Sequence, residues 1–347
     1  EQLAFVTDVH PGADGTVWVL NAREPHVIRL SAAGAVLSTA GRRGSGPGEF
    51  QQPMGIVAAP EPDDVWVYED SRAALVRVSG PEPTWREIGL ARSSETPFRP
   101  VTFGGFILGI GRIWLVGHDD GIVLAQAGMG EGGELRNWAA TILSVNPDDG
   151  SLTQKLSMAE FLGDPTARFG PASVLAPYPI WAMCADGNMV LYDPMQNAVR
   201  QVVDGQVTST VSLPPERRLE ATFDRLFAMI YRQVQQDMPA AQRPDSAQFH
   251  ESMRSDFNTA RDELSPVFPE YTDLHCGANG VIWIQPFDVA NGYMGKGATW
   301  LRIEPGGATR EVRFPQAFRP YRLLNGRMWG VLRDELGVPS IAWIAVN

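Results

Sequence analysis

The sequence predicts an all-β fold: one six-bladed β-propeller over residues 1–347, with a helical hairpin inserted at 214–265 between blades four and five. Three observations predict it. A strand–turn–strand phrase recurs along the chain. Its tryptophans return at a period in the forties, the size of a blade of about four short strands. Helical patterns do not alternate with strands, which removes doubly wound α/β folds.

The phrase is clearest in VTDVHPGADGTVWVL from Val6 and YTDLHCGANGVIWIQ from Tyr271, which share Thr-Asp-x-His-x-Gly-Ala-x-Gly-x-x-Trp. A hydrophobic strand enters a Gly-containing turn and a second strand carries a Trp, which is a β-hairpin pattern. Looser copies surround Trp66, Trp114, Val190 and Trp329, making six. Trp18 to Trp66 is 48 residues, Trp66 to Trp114 is 48, and Trp283 to Trp329 is 46. A large ring at one position per unit suits the wedge between neighbouring blades, so these tryptophans are expected in the core. The longer intervals, 76 residues from Trp114 to Val190 and 93 from Val190 to Trp283, each predict an insertion. The smaller lies within Gln126–Gly170, with a glycine-rich loop at AGMGEGGEL that matches no phosphate-cradling motif. The larger changes period. Leu219, Phe223, Leu226, Ile230 and Val234 form one helical stripe, and Phe249, Met253, Phe257, Ala260 and Leu264 a second, with Pro239 and Pro244 between them. The stripes are expected to pack on each other and on the propeller rim, or to serve as a docking surface or a lid over one face. Near-balanced charge excludes a basic membrane-surface helix.

The segment from Gly41 to Asp70, GRRGSGPGEFQQPMGIVAAPEPDDVWVYED, resembles the NHL repeat through Gly41, Gly44, Gly46, Pro47, Gly48, Phe50, Pro53 and Asp70. Its glycines let the connection between blades turn with positive φ. The whole chain resembles the bacterial secreted or lipoprotein 6-bladed β-propeller group, with a helical stretch before blade five and a C-terminal phrase like Gly330–Val338. The resemblance implies a periplasmic or extracellular protein, often with a lipid anchor upstream of the position of Glu1, and little about chemistry. Similar proteins carry a strand before the residues that align with Glu1. Without it, blade six, ending IAWIAVN, has three strands.

Composition narrows the function classes. With 347 residues and 44% hydrophobic content the chain supports a large core and is not disordered. No apolar run is long enough for a membrane-spanning helix. A formal charge of -11 without a basic patch argues against a nucleic-acid partner. Of the 29 basic residues only Lys155 and Lys296 are lysine. Cys184 and Cys276, 92 residues apart, make no disulfide framework; whether they are joined stays open, a bridge being the less expected arrangement. The chain begins at Glu1 without a Met or a signal-like segment, so processing or omitted upstream residues are both expected readings.

Two Asp-x-His pairs stand out as candidate chemistry: Asp8 with His10, and Asp273 with His275. Residues two apart share one face of a strand, and inner strands line a propeller's channel, so the four could hold a divalent metal. The NHL-like amidating lyases hold zinc on channel histidines, but three matching His positions are not found here. The alternative is that each His caps the following turn while the Asp satisfies local amides. Gluconolactonase-like and paraoxonase-like propellers bind calcium through Glu, Asn and Asp. Asn21, Asp70, Asn188, Asp193 and Asn279 are of the right type, although all sit near hairpin turns where Asn and Asp are expected anyway. No Gly-x-Ser-x-Gly occurs, and His26, His118 and His250 are isolated. No cofactor is expected, with calcium or zinc in the channel as the exception. The leading expectation is a protein-binding scaffold or accessory subunit outside the cytoplasm. The alternative is a metal-dependent lyase or lactonase with its site in the central channel.

Overall fold

The computed structural model describes the chain apart from residues 1–2, 4–5, 13, 60, 62, 81–82, 91–115, 119–120, 130–134, 158–160, 163–179, 185, 215–218, 238–242, 262–266, 290–298, 316 and 347. At 116–118, 121–129, 135–141, 233, 236–237 and 260 it describes the backbone alone. Trp114 therefore lies outside the described residues.

Strands β1 (Val6–Pro11), β2 (Val17–Asn21), β3 (Val27–Leu30) and β4 (Val36–Ala40) pair in that order as an antiparallel sheet. A short parallel ribbon of β5 (Arg42–Arg43) and β6 (Glu49–Phe50) leads to the second sheet, made of β7 (Pro53–Ala58), β8 (Asp64–Glu69), β9 (Ala74–Ser79) and β10 (Thr84–Gly89). The third holds β11 (Val116–His118), β12 (Gly121–Met129), β13 (Leu135–Val145) and β14 (Leu152–Ser157). The fourth holds β15 (Trp181–Met183), β16 (Met189–Asp193), β17 (Ala198–Val203) and β18 (Gln206–Ser212). Helices α1 (Phe223–Asp237) and α2 (Ser246–Ala260) follow. The fifth sheet is β19 (Tyr271–Cys276), β20 (Ile282–Pro286), β21 (Thr299–Ile303) and β22 (Thr309–Arg313). The last has three strands, β23 (Phe318–Leu324), β24 (Arg327–Arg333) and β25 (Pro339–Ala345).

Burial within each sheet follows strand position. The second strands β2 and β16 are buried along their whole length, while the outer strands β4, β10, β18 and β22 are mostly exposed. That gradient is expected of sheets packed face to face and open only at the rim. The cores lie between successive sheets. Trp18 and Leu20 pack on Ile56 and Val67; Trp66 and Tyr68 on Leu143 and Val145; Ile142 and Leu156 on Trp181 and Leu191. Val190 and Val199 pack on Leu274 and Ile284, Trp283 and Trp300 on Phe318 and Met328, and Tyr321 and Trp329 close the cycle on Val9 and Val19. First strands lie side by side where described: β1 against β7, β7 against β11, β15 against β19, β19 against β23, and β23 against β1. Such radial repetition is a β-propeller. Trp18, Trp66, Trp283 and Trp329 are all buried, as their recurrence predicts.

The glycine-rich connection also behaves as the sequence predicts. Gly41 has φ +80°, and a Cβ there would stand 2.6 Å from the ring of buried Phe50. Glu49 folds back over this ribbon, accepting from Gly46 N at 2.8 Å and Arg42 Nε at 2.7 Å.

The glycine-rich stretch is flanked by the paired strands β12 and β13, while residues 130–134 lie outside the described residues. β12 runs through Gly128, which pairs with Arg136 beyond a register shift after Gln126. Cross-strand pairing over such a length outweighs the weak strand preference of glycine. Cys184 and Cys276 are joined by a disulfide, the arrangement the sequence left open and made the less expected one.

Of the expected stripes, Phe223, Leu226 and Met253 are buried, with Met229, in one core with the fourth and fifth sheets; Leu219 precedes α1, and Leu264 lies outside the described residues. Asp245 caps α2, accepting from Ala247 N and Gln248 N at 3.0 Å each. Among the described residues no helix is long and apolar enough to cross a membrane.

Candidate functional site: the inner-strand junction

The first strands share an irregularity. In β1, β7 and β19 the register with the second strand slips at the same place, and the residue after the slip is Asp8, Gly55 or Asp273; in β23 it slips two residues further along the strand, before Arg322. A bulge re-aims the side chain that follows it. In β23 it aims Arg322 across the first sheet. Its Nη1 lies 2.6 Å from His10 Nδ1, and its Nη2 donates to Asp8 Oδ2 at 3.2 Å and to the Ile56 carbonyl at 3.0 Å. Asp8 Oδ2 also accepts from Ile56 N at 3.1 Å, and Oδ1 from Val9 N at 2.8 Å. One guanidinium and one carboxylate thus tie the sixth, first and second sheets together. Tyr321 adds a 2.6 Å hydrogen bond to the Val6 carbonyl.

An Nδ1 that accepts from arginine leaves its imidazole proton on Nε2, so His10 is neutral here. Burial, and then the charge of Arg322, hold its pKa well below the ordinary 6.5. A histidine so depressed contributes its full stability above the unfolded value. That contribution is lost as pH falls from about 6.5 towards the folded value. We therefore expect urea stability to fall below about pH 6 with a slope of up to about 1.4 kcal/mol per pH unit from this group. A His10→Asn variant, which keeps an acceptor for Arg322 but does not titrate, should lack that component. Equal slopes in the two proteins would remove His10 from the account.

The second Asp-x-His pair is built differently. Asp273 Oδ1 accepts from Leu274 N at 3.0 Å, as Asp8 does from Val9. His275 Nε2 stands 3.6 Å from Asp273 Oδ2, and its ring stacks on Trp300 at 5.4 Å. The reading in which each Asp satisfies a local amide thus matches both pairs. Neither His caps a turn in the contacts described: His10 meets Arg322 and His275 meets Trp300.

The calcium-type residues also hold local structure. Asn21 Nδ2 donates to the Arg23 carbonyl at 2.9 Å. Asp193, buried, accepts from Met195 N at 2.8 Å and pairs with Arg200 at 2.5 Å. Asp70 accepts from Tyr68 Oη at 3.1 Å, and burial raises its pKa. Asn188 and Asn279 sit at two neighbouring hairpin turns. Among the described residues, no three or more His, Cys, Asp or Glu side chains converge as a metal-binding group. Of the other histidines, His26 is buried with Nδ1 2.9 Å from the Asn21 carbonyl, His118 ends β11, and His250 lies edge-on to Phe223 and Phe227.

Sequence reasoning missed Arg322. The signal was its place in the repeat, opposite Trp329, where the first and fifth sheets carry His10 and His275 opposite Trp18 and Trp283. It also missed a cleft of about 420 Å³ between the fourth and fifth sheets, lined by the Cys184–Cys276 bridge, Asp186, Asn188, Val190, Gln201 and Gly277–Gly280.

Fold and ring geometry define a β-propeller, and the comparisons agree. The chain matches a DUF4221-family protein of Bacteroides vulgatus with a TM-score of 0.59 at 9% identity, covering 99% of this chain and 95% of that one. It matches a Bacteroides fragilis protein named as exported with a TM-score of 0.52 at 9% identity, covering 96% and 80%. A streptogramin B lyase overlaps 99% of this chain and 95% of its own at 12% identity, with a TM-score of 0.47. At such identities the likeness is one of fold. No protein-family model and no curated protein matches the sequence.

Proposed function

We propose that this chain is a six-bladed, NHL-like propeller, with α1 and α2 inserted between blades four and five, that works outside the cytoplasm as a protein-binding scaffold or accessory subunit. The disulfide supports the compartment, because such bridges persist in oxidising surroundings. The Bacteroides fragilis neighbour, named as exported, is in keeping with it. A lipid anchor upstream of Glu1 belongs to the same reading. The observation that carries the binding role is the aromatic face of the helical pair. Phe227 stacks on Tyr231 at 5.4 Å, Phe249 lies 6.2 and 6.1 Å from the two, and all three are only half-buried. Rings with one wet face are characteristic of protein interfaces. The inner-strand charges, by contrast, are engaged in joining sheets, which suits a rigid platform.

The test is the native mass of the protein after gentle extraction, beside a Phe227→Ser/Tyr231→Ser variant of unchanged circular dichroism. A discrete complex well above 37.9 kDa, reduced to a free particle by the variant, is expected. A free wild-type particle holding stoichiometric calcium or zinc, lost on Asp8→Ala with His275→Ala, would replace this reading by a channel-site lyase or lactonase.

A further inference from the structure

The sixth sheet stops one strand short. The five larger sheets before it each have a fourth strand, whereas here β25, third in its sheet, is the outermost. Its composition is that of a covered strand. From Pro339 to Val346 it reads PSIAWIAV, without a charged residue. Charges blunt the outer strands β10, β14 and β22, through Arg86 and Glu87, Lys155, and Arg310 and Glu311. Exposed apolar surface gathers at β25 instead. Of the seven large apolar side chains exposed among the described residues, Leu332, Leu336, Val338 and Trp343 belong to the β24–β25 hairpin, so this edge is the most apolar part of the rim. Trp343 is 46% exposed, with the Arg327 guanidinium 4.0 Å from its ring centroid.

The register says which backbone groups of β25 are open. Val346 N donates to the Gly326 carbonyl at 2.9 Å, and Asp334 N to the Val338 carbonyl at 3.1 Å, at the two ends of a pairing without a slip. Backbone groups alternate in direction along an antiparallel strand. Ser340, Ala342, Ile344 and Val346 therefore turn theirs to β24, and Ile341, Trp343 and Ala345 turn theirs outward. Among the described residues no strand is hydrogen-bonded to that outer edge.

We propose that β25 pairs antiparallel with β25 of a second copy of this chain, about a two-fold axis at Trp343. Of the two-fold registers, the one centred on Trp343 alone sets the three outward residues against one another. Trp343 then faces the partner's Trp343, Ile341 faces the partner's Ala345, and every N–H and C=O that they turn outward finds a partner. The side chains fit in size as well. At each pair off the axis a small residue meets a larger one: Ser340 meets the partner's Val346, Ala342 the partner's Ile344, and Ala345 the partner's Ile341. The two indoles share one face of the joined sheet as an aromatic cross-strand pair, and no charge opposes a like charge. A two-fold interface needs one surface complementary to itself, and this strand supplies it. The inference goes beyond the proposed scaffold role, which rests on the helical pair.

The test is sedimentation equilibrium of the oxidised chain over a range of concentrations, with amide exchange measured in parallel. A monomer–dimer equilibrium is expected, the mass rising towards twice 37.9 kDa. The amides of Ile341, Trp343 and Ala345 should be protected only where the dimer forms. Ala345→Pro removes an outward donor and leaves the bonds to β24 in place. It should raise the dissociation constant about tenfold or more with little change in Tm. Trp343→Lys sets two ammonium groups beside the axis and should do the same; it decides alone should the proline variant fail to fold. Variants of Phe227 and Tyr231 should leave the dimer whole, so this inference and the scaffold role fail separately. A particle of 37.9 kDa at every concentration overturns the proposal. So does a dimer indifferent to both substitutions. Protection of the three amides at every dilution would mean that another segment covers β25, and overturns it too.

Discussion

Removing the Cys184–Cys276 bridge should cost about 4.5 kcal/mol of unfolding free energy, from a closed loop of 92 residues in the chain-entropy account. The loss should be the same by reduction or by a Cys184→Ser/Cys276→Ser variant. Urea unfolding with and without dithiothreitol measures it. The fall should lie mainly in the midpoint, with a larger slope for the variant if the freed chain is more expanded. The position of the bridge adds a local effect. It ties together the hairpin turns of the fourth and fifth sheets, where Val190 faces Gln201. Amide exchange should therefore quicken first in β15, β16, β19 and β20. A drop below about 1 kcal/mol would mean that the ring already confines the unfolded ensemble's loop, or that the two cysteines add strain equal to what they remove.

The hairpin phrase made the sheets legible because it is local. Strand, turn and Trp lie within fifteen residues of one another in Val6–Leu20, and each copy folds against its own neighbour. The helical stripes were legible for the same reason. The site was less so, because its contacts join residues far apart in the chain. Arg322 meets His10 and Asp8 at separations of 312 and 314 residues. No spacing rule reaches that far. The two cysteines illustrate a middle case. Their separation of 92 residues hides that they occupy successive hairpin turns of adjacent sheets, Cys184 aligned with Gly12 and Cys276 with Pro11. Superposing the repeats, rather than measuring distance along the chain, would have brought them together. The Asp-x-His pairs were visible as a repeated phrase on two first strands. Their partners, an arginine in one case and a tryptophan in the other, come from other strands and were not visible from the pairs themselves.

Replacing Arg322 by Met should be the most damaging single substitution at the junction, by about 3–5 kcal/mol. It keeps the length and apolar stem of the side chain but removes the donors. Asp8, whose side chain is 14% exposed, would then lose its cation, and the Ile56 carbonyl would lose a partner. A carboxylate left mostly buried without its partner carries the greater part of that cost. Arg322→Lys should recover only part of it. One ammonium cannot span His10, Asp8 and Ile56 as the planar fork does. The damage should also be placed differently from that of the lost disulfide. Exchange should quicken in β1, β7 and β23, where the sixth, first and second sheets meet, while β15 and β19 keep their protection under the intact bridge. The ring would then be held by two unlike fastenings: an ion-pair junction where the sixth, first and second sheets meet, and a covalent one between the fourth and fifth. A double-mutant cycle between Arg322→Met and Asp8→Asn tests the first directly. Coupling of at least about 1.5 kcal/mol is expected for a charge pair this buried. Additive effects would mean that Asp8 is satisfied by the Val9 and Ile56 amides alone, and that Arg322 acts through His10 and the Ile56 carbonyl.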